Sequence, residues 1–555
     1  MHKRKMVIIG IDSGTFDIIK PLIRNGKLRN LAQLMEEGTS GQLQSTTPPV
    51  TPPAWVSLMT GKNPGKHGVF DFYASPSYGY VRPAMNARYI KAKTIWKILS
   101  DSGLRTGIIN LPITHPPEKI NGFVIPGLQH AMNGGKNFSH PPELMEEIQE
   151  RFGEYRVHYG DLESFYTNNL DRFIEEWRQI VEVRKQSILY LMDNKEWDVF
   201  MPVFFCADTM QHHFWKFFDK EHPLHEPALS KKYENVIGEF YEKIDEAIGE
   251  ILKRIDDDIP VMVVSDHGAG PEKLAFFINN WLHKEGFLAF KNIFSPLWRI
   301  RFPHIFYKAL RRFGFPGVAW VVPLDKLKAL GKVVDPREGL NIPFFIDWKR
   351  TRAYAGNYSE QGVYINLKGR EPCGIVERGK EYEDVRNSIM EKLKELKDPT
   401  SGKPLDIEAV KKEEIYEGPY LDDAADIFVK MKGAECIAQK EIYRKGFFGL
   451  PNKSSGTHRF EGIFILKGPG IKANSTIHGA KIIDVAPTIL NILGIPVPDD
   501  MDGRVLSEVF TKEYLENHPV THSSASKVEV KRGEGVLSNE ESEKISKTLR
   551  DLGYF

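Results

Sequence analysis

Apolar residues along the chain fall into two kinds of run. Short, largely β-branched runs occur at 6–11, 106–110, 198–205, 260–264 and 462–466. Unbroken apolar stretches of that length predict strands buried on both faces of a parallel sheet. Between them lie longer segments, at 92–99, 173–192 and 233–255, whose apolar positions recur every three to four residues. That spacing is the signature of one helical face. Strands alternating with amphipathic helices predict a doubly wound α/β fold, a mostly parallel sheet with helices on both faces. Ligands in such sheets bind beyond the carboxyl ends of the strands, so the residues that follow each run carry the interest.

The alternation lapses between about 280 and 450. This stretch opens with an aromatic and basic cluster, Phe287, Phe290, Phe294, Trp298, Arg299, Arg301, Phe302, Phe306, Tyr307, Arg311, Arg312 and Phe313. It reads as an aromatic core with solvated arginines, or as a lid or membrane-surface contact. The expected organisation is a first core segment at 1–280, an inserted cap or specificity region at 281–450, and a returning core segment at 451–515. A linker and a docking helix follow at 516–555. Ser538 and Glu541 form a capping box for that helix, and Ile545, Leu549 and Leu552 share one of its faces before Gly553.

Composition narrows the function classes. With 555 residues the chain exceeds a single simple core, and 75 basic against 74 acidic residues leave a formal net charge of +1. Nothing global in that balance points to nucleic acid, so an anion site must be built from a few placed groups. Cys206, Cys373 and Cys436 are scattered and odd in number, which gives neither a disulfide framework nor a CxxC site. The apolar run after the basic Met1–Lys5 start meets Asp12 at once, too soon for a signal segment. No stretch of about 18 apolar residues is present, so no membrane span is expected and a reduced, cytoplasmic setting follows.

Four places beside the predicted strands carry metal-ligand chemistry: Asp12, the pair Asp208 and His212, the pair Asp266 and His267, and His458. Asp208 and His212 are four residues apart and share one face if a helix starts there, although the adjacent His213 competes for the inward position. Each element alone has an ordinary explanation as a cap, a turn or a surface pair. Their common position along one sheet argues for a shared site. Three carboxylates and three imidazoles suit divalent zinc, with manganese as the alternative.

A nucleophile candidate lies in Pro48-Pro-Val-Thr51-Pro-Pro-Ala-Trp-Val-Ser57. Pro52 and Pro53 disfavour helix before them and permit one to start near Pro53. Thr51 then sits by a helix N-terminus that favours anions. Metal coordination lowers the pKa of such a hydroxyl and makes attack on phosphorus feasible.

These residues resemble the alkaline phosphatase superfamily, in its type I phosphodiesterase/nucleotide pyrophosphatase branch. Ile9-Gly-Ile-Asp12-Ser-Gly resembles the first metal-binding strand, and Thr51-Pro-Pro-Ala-Trp-Val-Ser57-Leu-Met-Thr60-Gly61 the nucleophile segment. Val264-Ser-Asp266-His267-Gly268 and Gly456-Thr-His458-Arg459 are similar to the later ligand motifs. Asp484-Val-Ala-Pro-Thr488, with Met501-Asp-Gly-Arg504, resembles the C-terminal structural signature.

The resemblance implies two divalent ions. Asp208, His212 and His458 would hold one, and Asp12, Asp266 and His267 the other, with Thr51 bridging towards a phosphorylated small substrate. It implies ester hydrolysis through a covalent phosphothreonine, with phosphomonoesterase, phosphomutase or head-group transferase activity as alternatives on the same metals. Sulfatases of the superfamily use a modified Cys or Ser in a C/S-x-P-x-R context that Thr51-Pro-Pro-Ala-Trp lacks. Phe72 stands where nucleotide pyrophosphatases carry a phosphate-holding Asn, which leaves Asn110 or a backbone N–H beside Thr51 as candidate donors. Cys206 is expected as a buried strand residue, His67 as packing a turn, and Lys62 and Lys66 as solvated.

Overall fold

The computed structural model describes residues 5–74, 79–80, 82–127, 138–157, 169–291, 346–355, 362–431, 435–439, 446–451 and 454–525. Most of the aromatic and basic cluster and all of the C-terminal helix expected at 538–552 lie outside these residues.

The strands run in chain order as β1 (Met6–Ile11), β2 (Thr39–Gln44), β3 (Thr106–Leu111), β4 (Gly122–Pro126), β5 (Val199–Phe204) and β6 (Val261–Val264). Then come β7 (Gly268–Pro271), β8 (Leu274–Phe277), β9 (Ala353–Ala355), β10 (Gly362–Ile365), β11 (Ile407–Lys411) and β12 (Ile427–Met431). The last are β13 (Cys436–Gln439), β14 (Phe448–Gly449), β15 (Gly456–Arg459), β16 (Glu461–Lys467), β17 (Ser475–Thr476), β18 (Ala480–Lys481), β19 (Val497–Pro498) and β20 (His522–Ser523). Helices used below are α1 (Thr51–Thr60), α2 (Leu170–Asn194), α3 (Cys206–Phe218), α4 (Val236–Leu252) and α5 (Lys380–Lys394).

Nine strands form the main sheet, in the order β17-β2-β16-β6-β1-β5-β3-β4 with β18 also on β2. The centre, from β6 through β1, β5 and β3 to β4, is parallel throughout, and β16 enters antiparallel between β6 and β2. β1, β3 and β5 are buried at every position, as strands flanked by neighbours must be when built from unbroken apolar runs. The doubly wound, mostly parallel architecture read from the sequence is the one observed.

This topology decides where chemistry gathers. β1 lies between β5 and β6, so the carboxyl ends of all three face one crevice. Because β16 runs the other way, its amino end lies on the same edge, and the residues just before it arrive there too.

Residues 346–431 add a separate layer, a four-stranded sheet in the order β11-β12-β10-β9 backed by α5. It has its own apolar cluster around Val363, Ile365, Ile389, Leu393, Ile427 and Val429. The chain returns from this unit through β15, which pairs antiparallel with β7 so that His458 lies opposite Ala269. A ribbon joining residues nearly two hundred positions apart thus carries His458 back to the end of β6.

Two local expectations change. The pattern at 233–255 splits into a helix Pro227–Tyr233 and α4, with Glu234 and Asn235 at the junction. Cys206 opens α3 instead of closing a strand, and it is buried. No helix among the described residues is long and apolar enough to cross a membrane.

Candidate metal centre

Asp12 follows β1 directly, and its N–H is donated to the Phe204 carbonyl at 2.9 Å, which ties it to the end of β5. Its Oδ2 accepts the Trp55 Nε1–H at 2.9 Å. That bond depends on a small residue one turn of pleat earlier. A Cβ on Gly10 would stand 2.7 Å from the Trp55 ring, so glycine is what allows the indole of α1 to lie over β1. Asp266 accepts the Ser13 N–H on Oδ1 at 3.2 Å. The remaining oxygens, Asp12 Oδ1 and Asp266 Oδ2, are buried and accept no hydrogen bond.

The three imidazoles are oriented alike. Each turns Nδ1 to a backbone carbonyl: His212 to Gly456 at 2.8 Å, His267 to Gly268 at 3.1 Å, and His458 to Pro49 at 2.9 Å. A carbonyl only accepts, so each Nδ1 carries a proton and each Nε2 is left to face inward, the arrangement typical of metal-ligating histidines. His212 Nε2 and His458 Nε2 are 3.0 Å apart. Two lone pairs do not sit that close unless positive charge, a proton or a metal ion, lies between them. His212 is the inward residue of the pair in question, whereas His213 packs edge-on against Phe173 at 5.5 Å.

Distances within the site are short. Asp208 Oδ1 lies 3.3 Å from His212 Nε2 and 3.5 Å from His458 Nε2. His267 Nε2 lies 3.1 Å from Asp266 Oδ2, 3.8 Å from Asp12 Oδ1 and 3.2 Å from Thr51 Oγ1. Two overlapping sets result, Asp12 with Asp266 and His267, and Asp208 with His267 and His458, each with ligand atoms within 4.8 Å of one another.

The electrostatics fit cation binding. Burial raises the Asp12 carboxyl well above its usual value, and the negative charges of Asp266 and Asp208 add to it. Asp266 is raised likewise, by burial first and then by Asp208, against the Ser13 N–H. Burial also pushes Asp208 up, but the facing imidazoles of His212 and His458 outweigh it and hold this carboxyl well below the usual range. His267 and His458 are both lowered, chiefly by burial, and so present neutral rings. Three buried carboxylates without a matching cation are costly, and divalent ions would remove that cost. Two orphaned carboxylate oxygens and three inward Nε2 atoms form a donor set that zinc or manganese satisfies.

Thr51 opens α1, where Pro52 and Pro53 occupy positions that need no donor and Gly61 closes the helix in the left-handed region at φ 66°. Every residue of α1 is buried, so its first residue is held rigidly beside the cluster. The structure thus brings Asp12, Thr51, Asp208, His212, Asp266, His267 and His458 into one pocket. Asn110 is different. Its side chain turns to the Tyr155 hydroxyl, which donates to Oδ1 at 2.6 Å, and no hydrogen bond joins it to the cluster.

Several supporting residues escaped the sequence reading. Trp55 was visible only as an aromatic residue in an apolar helix, and its N–H partner lies 43 positions away. Gln211 donates to the Ser13 carbonyl at 2.9 Å, bracing the loop after β1. Lys62 is buried and Lys66 half-buried, and they pair with Asp500 and Asp502; Asp502 also accepts from Asn63 N and Nδ2 at 2.8 Å. His67 packs a turn, its Nε2 on Ser57 Oγ at 2.9 Å, and burial keeps it neutral with a pKa of about 3.

The profile of the type I phosphodiesterase / nucleotide pyrophosphatase family matches residues 6–460. A stretch of 65 residues is 38% identical to an extracellular sulfatase SULF-1 homolog of Drosophila melanogaster, covering 11% of this chain but 6% of that protein. Among solved structures, phosphonoacetate hydrolase from Sinorhizobium meliloti aligns with a TM-score of 0.47 at 14% identity, over 87% of this chain and 94% of that one. Human ectonucleotide pyrophosphatase / phosphodiesterase 5 aligns with a TM-score of 0.49 at 12% identity, over 93% and 99% of the two chains.

Proposed function

Because this chain belongs to the type I phosphodiesterase / nucleotide pyrophosphatase family, we propose that it hydrolyses phosphodiesters or pyrophosphates at a two-metal centre, with Thr51 as the nucleophile. Asp12, Asp266 and His267 would hold one ion, and Asp208, His212 and His458 the other. When bound, the ions lower the pKa of the attacking hydroxyl and offset charge on the entering and leaving oxygens.

The single observation behind this reading is the contact of Thr51 Oγ1 with His267 Nε2 at 3.2 Å, beside the buried Asp12 Oδ1 and Asp266 Oδ2 that accept no hydrogen bond. Thr51 gives up its proton as its oxygen attacks phosphorus, and the P–O bond to the leaving group breaks in line, the leaving oxygen taking up a proton from the water that enters with the substrate. Water then displaces the threonine oxygen from the phosphothreonine and restores the hydroxyl. α1 contributes its N-terminal dipole and a rigid mount for the nucleophile. Phe72, buried at the position where the resemblance expects a phosphate-holding Asn, offers no amide of its own to the phosphoryl oxygens.

A substrate panel tests the proposal. It contains bis-p-nitrophenyl phosphate, p-nitrophenyl phosphate and p-nitrophenyl sulfate, assayed with chelator and after zinc or manganese is restored. Diester turnover that depends on metal is expected. Thr51→Ala should lower the rate by about 10³-fold or more, at ~1.36 kcal/mol for each tenfold. Full activity in that variant removes Thr51 from the mechanism.

A further inference from the structure

The loop that delivers Thr51 has very few backbone tethers of its own. Of residues 47–53, four are proline, so only Thr47, Val50 and Thr51 carry an N–H. Val50 spends its N–H locally, on the Pro48 carbonyl at 2.9 Å. The loop is nevertheless required to be precise, because its Pro49 carbonyl holds His458 Nδ1 and Thr51 lies against His267.

An outside residue holds it. Tyr416 belongs to the inserted unit and follows the short helix Lys412–Ile415. Its hydroxyl accepts the Thr47 N–H at 2.7 Å and donates to the Thr47 carbonyl at 2.6 Å, engaging both polar groups of one peptide residue. The ring is buried between Phe70, at 6.2 Å, and Phe428, at 5.9 Å and perpendicular, so the hydroxyl cannot swing away. The contact continues past the tyrosine. The Tyr420 N–H donates to the Gly65 carbonyl at 3.0 Å. A Cβ on Gly65 would meet the Glu417 carbonyl at 2.4 Å, so the two backbones touch directly.

We propose that Tyr416 is a positioning residue for the metal centre, the point through which the inserted unit sets the loop that carries Thr51 and orients His458. The path is continuous: Tyr416 hydroxyl, Thr47 peptide groups, Pro49 carbonyl, His458 Nδ1, His458 Nε2. This inference rests on the two-metal reading given above. It makes the inserted unit part of the metal site's construction: the loop's other ties, among them those from His458 Nδ1 to the Pro49 carbonyl and from the Val50 N–H to the Pro48 carbonyl, leave the Thr47 peptide groups to Tyr416. Outer partners of this kind change metal affinity or activity by about 10- to 100-fold when lost.

The test uses full-length protein stripped of metal and titrated with zinc against a colorimetric chelator, with bis-p-nitrophenyl phosphate kinetics in parallel. Tyr416→Phe keeps the ring and removes both hydrogen bonds. It is expected to weaken the weaker zinc site by about 10- to 100-fold and to lower kcat with little change in KM. Phe428→Leu keeps the hydroxyl but loosens the packing that fixes it, so it should lower the melting temperature while weakening zinc binding less than Tyr416→Phe does. Wild-type zinc affinity and kcat in Tyr416→Phe overturn the inference alone. Wild-type protein that takes up no zinc overturns the two-metal reading and this inference with it.

Discussion

Asp12, Asp266 and His267 come from the ends of two adjacent parallel strands and have no exposed surface. Asp208, His212 and His458 come from a helix and a returning ribbon, and the imidazoles keep 8% and 11% of their side-chain surface open. The first set holds two carboxylates and one imidazole, the second one carboxylate and two imidazoles. Carboxylate oxygens suit harder ions and imidazoles suit zinc, so the two halves of one pocket offer different chemistry. They also differ in what they do without a metal. In the deep half, like charges and burial oppose ionisation of Asp12 and Asp266. In the outer half, the imidazoles favour the ionised form of Asp208. One half is strained by its own charge and the other is partly neutralised from within.

The largest expected effect tests that contrast directly. Asp12→Asn can keep its bond to Trp55 Nε1 and replaces the orphaned oxygen with a donor, while Asp208→Asn takes charge away from two facing imidazoles. Both should lower metal-dependent activity by about 10³-fold, ~4 kcal/mol. Their metal-free forms should part: Asp12→Asn more stable than wild type, and Asp208→Asn less stable, each by about 1–3 kcal/mol. Thermal melts in chelator report this. Shifts of the same sign in both variants would end the distinction between the halves.

A second test sharpens it through pH. Asp12 and Asp266 are raised, so the folded state binds more protons than the unfolded chain between the ordinary carboxyl value and the raised one. Stability contributed by this pair therefore falls as pH rises through that window. Asp208, which is lowered, contributes in the opposite sense: its stability is present above the unfolded value and is lost as pH falls through the folded one. Against this pair stand the neutral imidazoles of His267 and His458, whose lowered pKa removes stability as pH falls below the ordinary histidine value. The pair's share is therefore read as a difference: on going from neutral to mildly acidic buffer, metal-free Asp12→Asn should shift less favourably in melting temperature than wild type, and zinc should erase that difference. A wild-type slope unchanged in Asp12→Asn would mean that the deep carboxylates do not titrate there.

What the sequence made legible follows from where each contact is decided. Asp12, Asp266 and His267 stand directly after apolar runs, and a parallel sheet brings such ends to one edge whatever the rest of the chain does. Asp208 and His212 could be paired because four residues make one helical turn. The choice between His212 and His213 was not legible. It depends on the rotation of α3 against Phe173, a matter of tertiary packing. Lys62 and Lys66 look solvated in sequence because their partners, Asp500 and Asp502, lie more than four hundred residues away. Asn110 stands at a suitable strand end with φ 63°, and its Oδ1 is taken by the Tyr155 hydroxyl, a partner 45 positions away that no sequence pattern announces. Tyr416 lay in a region with no recognisable pattern, and only the docked fold discloses its hold on Thr47.

The smallest effect probes how the outer half is held. His212 Nδ1 has two neighbours, the Gly456 carbonyl at 2.8 Å and Ser454 Oγ at 2.9 Å. The Ser454 hydroxyl is itself a donor to the His212 carbonyl at 3.1 Å and to that of Gly456. If the carbonyl fixes the ring, Ser454→Ala leaves the Nδ1 proton and the inward Nε2 where they are. The variant should then lose about 0.5–1.5 kcal/mol of stability, with zinc affinity and kcat unchanged within measurement. A loss of 10- to 100-fold in zinc affinity would instead place the hydroxyl among the groups that orient His212. The outer half would then depend on a side chain in the 454–455 turn. Its resemblance to the deep half, where His267 answers to the Gly268 carbonyl, would be confined to the ligands themselves.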